Sequence, residues 1–93
     1  MSGEDAYGPA GKVSCQFALY PLRQPRISPV LEDVVRALDE VGVAYEMGGM
    51  STLLHGDEEQ VFAALRSAFR AAAARGDAVL IATVSNGCPA KMD

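Results

Sequence analysis

The sequence predicts an α+β fold, a two-layer sandwich of two helices on a four-stranded antiparallel sheet in the ferredoxin-like order β-α-β-β-α-β. Three observations carry this expectation. Strand-like runs open and close the chain, at residues 12–20 and 77–85. Two stretches between them repeat apolar residues at helical spacing, from Ser28 to Val41 and from Asp57 to Arg75. Two short β-type runs flank Gly48-Gly49 between those stretches, which reads as a hairpin. A fold of this kind hosts many functions, so function must be argued from the residues around the sheet.

The first eleven residues, MSGEDAYGPAG, hold three glycines and little to bury, and read as a flexible tail. The folded domain is expected over 12–90, with 91–93 as a short C-terminal tail. In the first strand Val13, Cys15, Phe17 and Leu19 share one face, and Ser14, Gln16, Ala18 and Tyr20 the other. Pro21 is expected to stop it. Ser28-Pro29 predicts a serine N-cap followed by proline in the first helical position. Leu31, Val34, Val35, Leu38 and Val41 then form an apolar stripe, and Gly42 supplies the stop.

Val43–Met47 predicts the second strand and Met50–His55 the third. Asp57 with Gln60 three residues later resembles a capping box, and Glu58 and Glu59 suit the positive first turn of the helix that follows. Val61, Phe62, Leu65, Ala68, Phe69 and Ala72 are its expected buried stripe, and Gly76 ends it. The fourth strand is apolar on both faces: Leu80, Ala82 and Val84 on one, Val79 and Ile81 on the other. In a two-layer fold only one sheet face meets helices. Something else must cover the second, and a dimer packing sheet on sheet is the expected answer.

Composition narrows the partners. Ninety-three residues make one small domain, which buries only roughly 60–65% of its unfolded surface, so association would add stability. A net charge of −4 argues against nucleic acid or an anionic membrane. No apolar run approaches the ~20 residues of a membrane span, and no secretory apolar region precedes the first strand. A cytoplasmic protein is expected. Cys15 and Cys88 have neither C-x-x-C nor zinc-ligand spacing, and read as free thiols; there is one histidine.

Three segments are recognisable together: Ser14-Cys15-Gln16-Phe17-Ala18-Leu19-Tyr20-Pro21-Leu22, Ser51-Thr52-Leu53-Leu54-His55-Gly56, and Ser85-Asn86-Gly87-Cys88-Pro89. With them the sequence resembles a single domain of the YkoF-type thiamine/hydroxymethylpyrimidine-binding family, over about residues 12–90. The resemblance implies sheet-to-sheet pairing and non-covalent binding of thiamine or its pyrimidine moiety in salvage or transport, with a thiamine-precursor transporter as a further partner. Family members carrying two such domains in tandem differ from this chain, where a homodimer would restore the pairing.

That ligand suits the residues available. An aminopyrimidine presents ring-nitrogen acceptors, an amine donor and a flat face. Gln16, Ser51, Thr52 and Asn86 offer donors and acceptors, and Tyr20 an aromatic wall, with Phe17 and Tyr45 as other candidates for that wall and Met47 or Met50 as softer ones. Glu46 or Asp77 would tolerate the thiazolium cation. No catalytic residue, metal or bound cofactor is expected; thiamine or hydroxymethylpyrimidine is the ligand. The chain order also warns that Ser51 falls near the Tyr20 end of the sheet and His55, Cys15 and Asn86 near the other. Competing readings are an ACT-like regulatory domain, a purely structural dimer, and an enzyme or metal site built from His55, Cys88 and Cys15. Arg23 and Arg26, in the loop after the first strand, read as surface residues before they read as a phosphate site.

Overall fold

A computed structural model describes residues 11–87, in the order β1 (Lys12–Leu22), α1 (Ser28–Val41), β2 (Ala44–Met47), β3 (Thr52–Asp57), α2 (Glu58–Ala73) and β4 (Asp77–Ser85). The sheet order is β2-β3-β1-β4, antiparallel throughout, and both helices lie on one face. This is the expected ferredoxin-like α+β sandwich. The expected tails, Gly11 apart, lie outside the described residues, as do Cys88 and Pro89.

Alternation in β1 decides the layering. Val13, Cys15 and Phe17 are buried beneath the helices, so Ser14, Gln16, Ala18 and Tyr20 turn to the open face. Pro21 does not stop the strand: it pairs with Ala78, and Leu22 pairs with Asp77. The reason lies in the register. β1 loses β3 after Phe17 and keeps only β4, and proline is tolerated where a strand has an open side.

α1 buries Val30, Val34 and Leu38, one residue per turn, whereas Leu31 is 41% exposed. Ser28 is not the cap. Ile27 stands there with helical backbone, its carbonyl accepting from Leu31 N at 3.0 Å, so Ser28 already belongs to the first turn and no side chain caps it. Gly42 ends the helix in the left-handed conformation (φ 83°), which glycine adopts without a Cβ clash, and its N–H donates to Leu38 O.

α2 is capped as expected by Asp57. Its buried stripe, however, is Val61, Ala64, Ala68 and Ala72, with Leu65 partly buried; Phe62 and Phe69 are 46% and 43% exposed. The alanines explain the rotation. Small side chains let α2 approach the sheet and α1 closely, which centres the stripe on them and turns both phenylalanines roughly 100° to the flank. At Gly56 a Cβ would come 2.5 Å from Gln60 Oε1, so a larger residue there would displace the end of the Gln60 side chain. Leu38, Leu54, Val30 and Val61 are the largest fully enclosed side chains, joining both helices to β3.

Candidate functional site

The face of the sheet away from the helices is divided. Pairing sets Ala44, His55, Ser14 and Ser85 in one row, and Glu46, Leu53, Gln16 and Thr83 in the next. Beyond them Ala18 faces Ile81 and Tyr20 faces Val79. One half of the face is therefore polar and the other apolar. Tyr20, Leu22, Val79 and Ile81 are between 39% and 58% exposed, so no part of the described chain covers the apolar half.

A cleft of about 180 Å³ lies in the polar half, lined by Ser14, Cys15, Gln16, Leu53, His55, Thr83 and Ser85. Leu53 provides its apolar surface. Ser85 Oγ accepts from Gly87 N at 3.0 Å, which turns the chain at the end of β4. The Nδ1 atom of His55 is buried and has no hydrogen-bond partner among the described residues. A buried nitrogen without a partner costs free energy, and Nδ1 is the one such side-chain atom among the described residues.

Of the ligand-binding residues expected from the sequence, Gln16 alone lines this cleft. Asn86 stands immediately beyond Ser85, at the same end, and makes an interaction of its own. Tyr20 shares the face but sits in the apolar half, across from Val79. Ser51 and Thr52 border a second crevice, of about 170 Å³, beneath the β2–β3 turn and beside Leu31 of α1. Thr52 is 7% exposed on the helix side, and its hydroxyl donates to Met47 Sδ at 3.3 Å. Ser51 and Asn86 thus lie toward opposite ends of the sheet, as the chain order warned, and Thr52 is in addition on the opposite face from Gln16. Phe17 is buried in the core, and Tyr45 donates its hydroxyl to Asp39 Oδ1 at 2.8 Å, which raises the phenol pKa; neither walls the open face.

His55, Leu53, Thr83 and Ser85 enter the cleft without having been chosen as ligand residues. On β4 the signal was available: Thr83 and Ser85 are the polar positions continuing the outward parity of Val79 and Ile81. On β3 adjacent Leu53 and Leu54 blur the parity, so which of Leu54 and His55 turns outward is not readable locally.

Cys15 does not join His55 as a ligand pair: its side chain is buried on the helix side of the sheet while His55 turns to the open face, and burial raises the thiol pKa. Cys88 lies outside the described residues. No cluster of three or more Cys, His, Asp or Glu fit for a metal occurs among the described residues.

Elsewhere, charges pair with one another. Asp33, on α1, accepts from Arg75 Nε at 2.5 Å and from Arg36 at 2.9 Å, which holds its carboxyl below the usual carboxylate range and raises the Arg75 pKa. An open groove of about 440 Å³ between the helices is lined by Asp33, Arg36, Glu40 and Arg70. Arg23 pairs with Asp77 at 3.1 Å, and Gln24 donates to Asp77 O, tying the loop after β1 to the start of β4. No helix among the described residues is long and apolar enough to cross a membrane.

Comparison with known proteins gives the same fold. A domain of unknown function from Bacillus cereus superposes with a TM-score of 0.70 at 21% identity, covering 78% of this chain and 73% of its own. A protein of Streptococcus pneumoniae gives 0.71 at 22% identity over 80% and 84%. A proposed thiamine biosynthesis/salvage protein from Thermotoga maritima gives 0.68 at 20% identity over 80% and 82%. No curated protein matches the chain. The sequence model of the YKOF-related family matches residues 12–91. Since that match runs through all four strands and both helices, the chain belongs to the YKOF-related family.

Proposed function

We propose that this protein binds thiamine or its hydroxymethylpyrimidine moiety without transforming it, in salvage or transport of the vitamin, as a homodimer paired through the open sheet face. Family membership and the likeness to a proposed thiamine salvage protein support the ligand class. The observation that carries the reading is the division of the open face into a polar cleft around Gln16 and an exposed apolar half around Tyr20 and Ile81. The apolar half suits a second copy. The cleft beside it suits a small planar ligand sealed by that copy, since ligand pockets join apolar walls to a few convergent polar groups.

The ligand's parts find matching chemistry. Gln16 offers both donor and acceptor to a pyrimidine edge, and Leu53 an apolar floor. Glu46 lies in the same row as Leu53 and Gln16, where its charge would favour the thiazolium cation. Salvage or transport of the vitamin, with a thiamine-precursor transporter as a further partner, is the role this reading carries.

Calorimetric titration of protein that has been unfolded, stripped and refolded tests the reading. Saturable binding of thiamine, hydroxymethylpyrimidine or thiamine phosphate at about one ligand per chain supports it, and the ranking identifies the recognised moiety. A folded dimer that binds none of the three contradicts it and leaves a purely structural role for the face.

A further inference from the structure

We propose that His55 sets ligand specificity in the cleft by presenting a single N–H donor to a ring-nitrogen acceptor, and so selects the amino form of a pyrimidine over its oxo form. This rests on the thiamine-related reading above and adds to it the atom that discriminates.

The two ring nitrogens of His55 differ in their surroundings. Nδ1 is buried with no partner among the described residues. A proton held there would bury an unpaired N–H, and orphaned buried donors are the rarer fault in folded proteins. A bare lone pair at that position costs less. In the neutral imidazole the proton therefore sits on Nε2, because one nitrogen donates and the other accepts. His55 lines the cleft. What it can offer a ligand is then one donor and no acceptor.

Register supplies the second contact. His55 pairs with Ser14 and Leu53 pairs with Gln16, so His55 and Gln16 are diagonal neighbours on one face. Such neighbours stand roughly 7–8 Å apart at Cα, a span that a six-membered ring fills when both side chains reach inward. A 4-aminopyrimidine places an acceptor ring nitrogen next to an amine donor. The nitrogen matches the His55 donor, and the amine matches Gln16 Oε1. In the 4-oxo ring the pattern inverts: the ring N–H meets the His55 N–H. Gln16 adapts by turning its amide, but His55, with Nδ1 enclosed, has no such alternative. A site built on a fixed donor rejects the ligand that leaves that donor unpaired.

The test titrates thiamine and its 4-oxo analogue, oxythiamine, into the full refolded chain and into two variants, with circular dichroism and thermal melting confirming the fold. Wild type should prefer thiamine by about tenfold or more. His55→Phe keeps a flat ring without the donor, and should weaken thiamine by about tenfold and bring the two affinities close together. His55→Gln restores an amide that donates or accepts, so it should retain thiamine better than His55→Phe while still losing the preference. If His55→Phe does not fold, the ratio in His55→Gln decides. Equal binding of the two ligands by wild type, or an unchanged ratio in the folded variants, overturns the proposal while leaving the thiamine reading in place. Wild type that binds neither ligand overturns both.

Discussion

The Asp57 carboxylate accepts a hydrogen bond from the Gln60 backbone N–H at 2.9 Å, so the residue that ends β3 also begins α2. Gln60 does not complete the reciprocal box. Its side chain donates instead to Gly42 O at 3.1 Å, fastening the start of α2 to the end of α1. The strand end that carries His55 is thus anchored two residues on by a cap, and the cap by the neighbouring helix.

Removing that anchor should cost stability in a predictable amount. Asp57→Ala leaves the first-turn N–H of Gln60 without its acceptor and should destabilise the protein by about 1 kcal/mol. Urea denaturation measures it through a lower midpoint at unchanged slope. Ser28→Ala serves as the contrast. Ser28 makes no capping bond, so its midpoint should stay close to wild type.

Acid should loosen the helix layer through Asp33. Arg75, and then Arg36, hold its folded-state pKa below the unfolded value. The stabilisation is therefore present above the ordinary carboxylate pKa of roughly 3.9, and is lost as pH falls through the lower folded value. Asp33→Asn should show a smaller drop in urea midpoint than wild type across that acid window. Equal drops would mean that the Arg36–Asp33–Arg75 arrangement contributes nothing to stability.

The apolar half of the open face should control association. Ile81 is 58% exposed and Val79 and Tyr20 flank it, so Ile81→Glu would bring two like charges into a sheet-to-sheet interface. Sedimentation should show the dimer dissociation constant rising about thirtyfold or more, the scale of an interface hot spot. A variant that dimerises as tightly as wild type would place the interface elsewhere.

Cys15 should behave as a core residue. Its thiol is 2% exposed and its pKa is raised by burial. Alkylation by iodoacetamide, followed at the Cys15 peptide by mass spectrometry, should proceed far more slowly in native protein than in urea. Rapid native labelling of that peptide would contradict the buried placement of Cys15.

The fold was legible because its signals are local and redundant. Alternation in β1 places Val13, Cys15 and Phe17 inward without help from any other segment, and Asp57 with Gln60 marks the helix start. Misreadings arose where tertiary packing chose between local options. Pro21 continues its strand because β3 has already left that side of β1. Phe62 and Phe69 face outward because Ala64, Ala68 and Ala72 set how closely α2 packs. The candidate site was legible in part. Gln16, Thr83 and Ser85 follow from the parity of their own strands, while the outward turn of His55 on β3 is fixed only by register with β1. Ser51 and Thr52, recognised by their wording, proved to border a different crevice.

The most direct test of the central claim pits the two ends of the sheet against each other, using hydroxymethylpyrimidine alone and calorimetry on refolded wild type, Gln16→Ala and Ser51→Ala. A site in the open-face cleft predicts saturable binding by wild type, a loss of about tenfold in Gln16→Ala, and wild-type affinity in Ser51→Ala. Affinity that survives in Gln16→Ala and falls in Ser51→Ala would contradict the account and move the ligand to the crevice beneath the β2–β3 turn.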